Sequence, residues 1–194
     1  RVSPYPFPSP LSGGLVALEK VCVAGFLGSG RGGVSVIRMS GKRSRGIAES
    51  MGGELAEAWR FKRCSIKSRC GSKIDDGMVV FFKSPNSYTG DDVVEFHCHG
   101  NPTIVNLVIE EAVGLGAVIA EPGEFTKTAF LNEKIDLVQA ESVADLINAQ
   151  SEAAVVAANS SLSGRFSEQI NLLLDGIVKA LSLIHISEPT RLLS

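Results

Sequence analysis

The sequence predicts an α+β fold: a domain built on a mixed sheet, followed by the first helices of an α-helical bundle. Two observations carry this prediction. Short β-branched and aromatic segments alternate with a capped amphipathic helix in the first 120 or so residues. From about Leu137 onward, the apolar residues recur only at helical spacing. The chain is therefore expected to change from an α+β domain to a purely helical one near that point.

The elements of the first part follow in order. Residues 34–39 and 77–82 have strand composition, and the second segment is followed by the turn signal Pro85-Asn86. Residues 92–99 predict a third strand. Asn101 is then a candidate N-cap with Pro102 in the first helical position, before apolar residues at helical spacing: Val105, Val108, Ile109 and Ala112. Residues 117–120 predict one more short strand.

The second part predicts two helices separated at Gly164. The apolar positions of the first are Ala140, Val143, Ala144, Ile147, Ala154 and Ala158, and those of the second are Phe166, Ile170, Leu173, Ile177 and Ala180. Helices connected by so short a loop are typical of an antiparallel bundle. An exposed apolar face is expected, because no bundle partners follow in the sequence.

Composition limits the classes of function. The formal net charge of −2 gives no overall field that would attract a polyanion, so any contact with RNA must be local or come from other sequence. The four cysteines form no CxxC pair, which fits a reducing cytosol. No apolar run reaches the roughly 18 to 20 residues that a membrane span needs, and no signal peptide is visible. We expect a soluble, cytoplasmic protein.

Both ends of the chain have unusual composition. Residues 1–18 begin with alternating prolines and no Met, which predicts a non-native or disordered leader; a transit peptide is the less favoured alternative. Residues 181–194 resemble a translated sequencing adapter, although a genuine helix tail ending at Pro189 is the alternative. The expected domains are therefore 19–133, the α+β domain, and 134–180, the start of the helical domain.

The strand at 92–99 carries the richest set of polar side chains. Its alternation places Glu95, His97 and His99 on one face, and Val94, Phe96 and Cys98 on the other. A carboxylate beside two imidazoles could bind a ligand, position a proton or hold a metal. Metal is the least favoured, because zinc takes three or four ligands from separate segments. An equally supported alternative is that the two histidines only form hydrogen bonds with neighbouring loops. Glu95 is the stronger candidate, since an acid on an apolar strand needs a partner.

The glycine-rich residues 25–33 do not form a nucleotide-binding loop. They lack the Gly-Lys-Ser/Thr ending, and a strand follows where a phosphate loop requires a helix. No such loop occurs elsewhere in the 194 residues, so we expect no guanine-nucleotide binding. These glycines permit close approach of a flat ligand or a second subunit, or they serve a loop that needs positive φ.

Several motifs occur in a fixed order along residues 21–180. They are Gly30-Arg31-Gly32-Gly33, Pro85-Asn86-Ser87-Tyr88-Thr89-Gly90, His97-Cys98-His99-Gly100, and Pro122-Gly123-Glu124-Phe125-Thr126 with Asn132-Glu133-Lys134-Ile135-Asp136 after it. Together they closely resemble the N-terminal region of the MnmE (TrmE) family of tRNA-modification GTPases.

The resemblance implies a fold similar to the folate-binding domain of aminomethyltransferases, a homodimer, and a formyl- or methylene-tetrahydrofolate as one-carbon donor. The family's folate contacts fall on Arg38, Glu95 and Lys134. A carboxylate can accept paired hydrogen bonds from the amino-pyrimidine edge of a pterin, and cations can meet its polar groups or glutamate tail. The resemblance implies neither a catalytic residue nor a metal site within these residues.

The resemblance further implies a full-length enzyme that works with MnmG (GidA) on the wobble uridine of certain tRNAs. Its GTP, Mg and K would bind a GTPase domain that these 194 residues do not contain, and a C-terminal Cys motif is likewise absent, so this fragment is not expected to hydrolyse GTP. Two alternatives stay open: a dimerisation module with a vestigial pocket, and a stand-alone folate-dependent aminomethyltransferase.

Overall fold

A computed structural model describes residues 20–26, 31–52 and 55–187 of the chain. The chain divides into two compact units, and the division falls between Phe125 and Thr126. The predicted leader at 1–18, part of the glycine-rich stretch at 27–30 and the last residues of the predicted tail, 188–194, lie outside the described residues.

The first unit contains a mixed sheet of six described strands, which confirms the α+β class. The strands are β1 (Cys22–Phe26), β2 (Gly32–Ser40), β3 (Lys62–Lys67), β4 (Lys73–Phe82), β5 (Val93–Gly100) and β6 (Val118–Ile119), and their order in the sheet is β3-β4-β5-β2-β1-β6. β1 pairs with β6 in parallel, and the other neighbouring strands pair antiparallel. β3 is therefore an edge strand.

One face of this sheet is covered by helices α1 (Ser44–Gly52) and α2 (Pro102–Gly114), which pack on its strands. The core between them is almost fully buried and is formed by apolar side chains of both layers: Ile37, Met39, Val79, Phe81, Val94, Phe96, Ile47, Met51, Val105 and Val108. We call the opposite face, which carries Arg38, Glu95 and His97, the polar face. The alternation predicted for β5 is thus confirmed.

The predicted start of α2 is confirmed in detail. Asn101 is the N-cap, and its side chain accepts a hydrogen bond of 2.9 Å from the backbone N–H of Thr103, with Pro102 at the first helical position. Because Asn101 directly follows β5, this cap fixes where the chain leaves the sheet and turns back over its core face.

The last helices are α3 (Glu124–Leu131), α4 (Leu137–Asn148), α5 (Glu152–Leu162) and α6 (Arg165–Ser187). The single helix predicted between Leu137 and Ala158 is wrong, since two helices occupy that stretch. Ala149 is extended, and the Ser151 side chain caps α5 by accepting from the N–H of Ala154. This cap competes with continuation of the helix. Among the described residues, three helices thus begin at or after Leu137.

The predicted break at Gly164 is confirmed, because that residue adopts φ +80° between α5 and α6. The predicted apolar face of α6 is also exposed, as Ile170, Leu173 and Ile177 show. Within the segments described, no helix combines the length and the hydropathy that crossing a membrane requires.

Candidate functional site

An ion pair between Arg38 and Glu95 lies at the centre of the polar face. The two residues are direct partners in the antiparallel register of β2 and β5, and Arg38 Nε donates to Glu95 Oε1 at 2.7 Å. The Glu95 side chain is only 12% exposed, whereas that of Arg38 is 29% exposed. The carboxylate that the sequence predicts to need a partner has therefore found one on the neighbouring strand.

Two aromatic rings flank the guanidinium of Arg38. Its Cζ lies 5.6 Å from the centre of the Tyr88 ring and 5.8 Å from that of Phe125, distances at which cation–π attraction operates. Phe125 is buried, but Tyr88 is 39% exposed. The site therefore combines a charged pair with an aromatic side chain that a ligand can reach.

The loop between β4 and β5 positions Tyr88. Thr89 is fully buried, and its hydroxyl hydrogen-bonds that of Ser40 on β2 at 2.7 Å. The Gly41 N–H donates to the Asp92 carbonyl at 2.9 Å, and the Ser84–Pro85 peptide bond is cis. The hydrogen bonds of Thr89 and Asp92 attach the second half of the loop to β2 and the residue after it, so Tyr88 is held beside Arg38.

Phe125 is positioned by Glu124 at the start of α3. One carboxylate oxygen of Glu124 accepts from the Cys22 thiol at 3.0 Å and pairs with Lys20, and the other accepts from the Glu121 N–H at 2.8 Å. Burial, followed by the bond to Glu124, raises the pKa of Cys22 to about 12. This thiol is consequently protonated at neutral pH and serves as a donor.

His97 extends the site along β5. Its Nε2 lies 3.4 Å from Glu95 Oε2, and its ring meets the Phe61 ring edge-on at 5.1 Å between centres. Nε2 is buried and makes no hydrogen bond to the described part of the protein. Such an atom is costly to leave unmatched. His97 thus extends the charged cluster of the polar face to the second carboxylate oxygen of Glu95.

His99 has a different environment. Its Nδ1 lies 2.8 Å from Asp75 Oδ1, and its backbone N–H donates to Asp75 Oδ2 at 2.9 Å, which ties β5 to β4. Burial raises the pKa of Asp75, but the bonds from His99 outweigh it and leave that pKa below its usual value. His99 therefore makes a structural contact, but its partner lies on a strand and not, as the simpler interpretation of the histidines predicts, on a loop.

Lys134, the third predicted contact, belongs to the second unit. It follows α3 after Glu133, which adopts φ +56°, and its N–H donates to the Ala129 carbonyl at 2.9 Å. With Phe130, Ile135 and Asp136 it lines a shallow groove of about 550 Å³. Arg38 and Glu95 are thus brought together in the first unit, and Lys134 lies on the helical unit.

Tyr88 and Phe125 were not predicted as neighbours of Arg38, although both lie in motifs that carry the resemblance. In the sequence, each is an aromatic residue within a Pro- and Gly-rich turn. A large aromatic residue in such a turn indicates a functional loop position. Metal ligands are a separate matter: within the described residues, no three His, Cys, Asp or Glu side chains are grouped as a metal site.

Comparison with known proteins adds to this geometry. The model of the family described as GTP-binding protein TrmE N-terminus matches residues 21–134, which include Arg38, Glu95 and Lys134. The chain belongs to this family. The TrmE-type resemblance found in the sequence is therefore confirmed, and the match covers the whole sheet and its polar face.

Relatives of this TrmE-family chain are known as tRNA modification GTPase MnmE. The protein of Francisella philomiragia is 48% identical over 149 residues, which are 77% of this chain and 33% of the relative. The protein of Legionella pneumophila strain Paris is 44% identical over 150 residues, which are 77% of this chain and 34% of that relative. The chain thus spans about a third of the length of these relatives.

Proposed function

We propose that the first unit binds a reduced folate one-carbon donor, a formyl- or methylene-tetrahydrofolate, on its polar face through Arg38 and Glu95, with Lys134 as a third contact. The observation that supports this proposal is the buried carboxylate of Glu95, paired with Arg38 at 2.7 Å and flanked by a reachable aromatic ring. Ligand sites commonly place a few such polar groups among apolar and aromatic side chains.

The chemistry of the pair suits the amino-pyrimidine edge of a pterin. An ionised carboxylate has about four acceptor positions, and Arg38 Nε uses one of those on Oε1. The remaining acceptor positions can take N–H donors from the ligand. Tyr88 offers a face on which a flat ring packs favourably.

Titration calorimetry with formyl-tetrahydrofolate tests this proposal on the 194-residue chain. We expect saturable binding with one site per chain, and we expect GTP to produce no binding because the sequence contains no phosphate-cradling loop with its lysine. GTP is the matched control, since it is also an anionic, ring-containing ligand. Binding of GTP with similar affinity, or no heat with the folate, would contradict the proposal.

We also propose that the chain forms a homodimer through the first unit, because a small α+β unit gains buried surface by pairing. The exposed apolar residues of α6 could cause non-specific association. Light scattering should therefore compare the whole chain with a version that ends near Leu137. A discrete dimer in both is expected, whereas a monomeric shorter version would place the interface in the helices.

For the whole protein, we propose the activity that its relatives' name states, tRNA modification coupled to a GTPase. The chain would be the N-terminal part of that enzyme in the bacterial cytoplasm, working with MnmG (GidA) to install an aminomethyl-type group on a wobble uridine. GTP, Mg and K would bind a GTPase domain outside these residues. The source gene tests this: a downstream GxxxxGK[ST] motif supports it, and its absence favours a stand-alone folate-dependent aminomethyltransferase.

A further inference from the structure

The edge of the sheet farthest from β6 is strongly basic. Between Trp59 and Asp76, a segment we call the basic hairpin, six cationic side chains occur and only two acidic ones, a net charge of +4 in a chain whose formal charge is −2. The cations are Arg60, Lys62, Arg63, Lys67, Arg69 and Lys73. The rest of the chain therefore carries a net charge of −6, and the positive charge is local.

The cations are exposed because of how β3 packs. Cys64 and Ile66 are buried on the core face and anchor the strand over α1, while Arg63 and Lys67 are exposed. Arg63 lies opposite Met78 of β4 on the polar face. Since β3 is an edge strand, the sheet gives it a neighbour on one side only. The basic side chains thus form a surface that a large ligand can approach.

Part of this charge is not optimised for stability. Lys67 and Lys73 are direct partners across the turn end of the hairpin, and like charges in that position are destabilising. Three cations of the hairpin form ion pairs in which the cation is exposed: Arg69 with Glu111, Lys73 with Asp76, and Arg60 with Glu57 at 3.6 Å. Exposed pairs contribute little. A bound polyanion would relieve the repulsion between the lysines.

Two aromatic rings are interleaved with the cations. Trp59 is 60% exposed and meets Phe82 edge-on at 4.7 Å, and Phe61 is 57% exposed and meets His97 edge-on. Edge-on contact on the protein side leaves ring surface open to solvent. Arg60 and Lys62 alternate with these rings. Exposed aromatic faces next to basic side chains are the combination that binds unpaired nucleotides, by base stacking and phosphate contact.

We infer that the basic hairpin is a contact surface for RNA, where phosphates meet Arg63 and Lys67 and an unpaired base stacks on Trp59 or Phe61. The inference rests on the proposed function, in which the whole protein acts on tRNA, and it assigns a place on this chain for that contact. The local positive charge of the hairpin attracts the phosphates of RNA, whereas the overall charge of −2 does not.

Fluorescence anisotropy with a labelled RNA stem-loop tests the inference on the 194-residue chain. The test variant is Arg63→Glu/Lys67→Glu, and Arg63→Gln/Lys67→Gln is a milder second variant. The matched control is Lys42→Glu/Lys179→Glu, which changes the net charge equally at exposed positions outside the hairpin. We expect the test variant to bind roughly tenfold or more weakly and to lower the salt slope by about 1.4, at about 0.7 per lost phosphate contact. The control should bind nearly as the wild type does.

The aromatic part of the inference has its own measurement. Phe61→Ala should weaken binding of the stem-loop by about 5- to 150-fold if a base stacks on that ring, and should weaken a fully paired duplex much less. Equal weakening of both RNAs would contradict stacking. Thermal melting of each variant confirms that the exposed substitutions leave the fold intact.

Three results would overturn the inference: no RNA binding by the wild type, equal losses in test and control variants, or variants that change self-association and leave RNA affinity unchanged. The last result would mean that the cations only protect an edge strand from pairing. The folate titration of the wild type is independent of RNA. If the wild type binds folate but not RNA, the inference on the hairpin fails. If it binds RNA but not folate, the proposed folate site fails.

Discussion

Replacing Glu95 with alanine is expected to weaken binding of formyl-tetrahydrofolate by about 10- to 150-fold, which corresponds to about 1.5–3 kcal/mol for a hydrogen bond to a charged group. The Glu95 side chain is 12% exposed, so water replaces its contacts poorly. Arg38 is 29% exposed and can be hydrated after the substitution, so the fold should survive. Titration calorimetry measures the change in affinity.

The matched control for this prediction is Glu110→Ala. Glu110 is an exposed acid on α2, which covers the core face of the sheet, so its removal changes the net charge equally without touching the polar face. Glu95→Gln keeps the size of the side chain and isolates the effect of the charge. Wild-type affinity in Glu95→Ala would show that the ligand, if bound, uses another surface.

Replacing Phe96 with alanine is expected to lower the free energy of unfolding by about 3–5 kcal/mol, the usual cost of removing a large core side chain. Phe96 is fully buried among side chains of β2, β4 and the covering helices. Urea unfolding followed by circular dichroism measures the loss. Leu107→Ala, at a position 43% exposed on α2, is the control and should cost much less. Similar losses in both would place the core elsewhere.

Glu95 and Phe96 are adjacent in sequence, and their substitutions should nevertheless have separate effects. Successive residues of a strand point to opposite faces, so Phe96 lies in the core and Glu95 on the polar face. We expect Phe96→Ala to reduce the fraction of folded protein and Glu95→Ala to reduce affinity in a folded protein.

The strands and helices with a strong local pattern were predicted from the sequence. β5 shows clear alternation, and α2 carries both a cap and an apolar period, so each needs no distant contact to be recognised. β3 was missed because only Cys64 and Ile66 are buried in an otherwise polar edge strand. α1 was missed because it is short and contains glycines that weaken its helical pattern.

The site was predicted only in part for a related reason. The alternation of β5 and the cost of burying a carboxylate identified Glu95, but not the neighbour that pairs with it. Arg38 is 57 residues away in sequence, and the contact exists because β2 and β5 pair in one register. The local sequence cannot determine that register. Arg38 was therefore assigned to the site only through the resemblance to the family. Lys134 as a third contact stays a prediction.

Nuclear magnetic resonance tests the central claim, that the polar face binds the folate, most directly. In ¹⁵N-labelled protein, formyl-tetrahydrofolate should shift the side-chain Nε–H signal of Arg38 and the amide signals of Glu95, His97 and Tyr88. Amides of α2, on the far side of the sheet, should change little. Shifts confined to α2, or saturating folate with no change at Arg38 and Glu95, would contradict the claim.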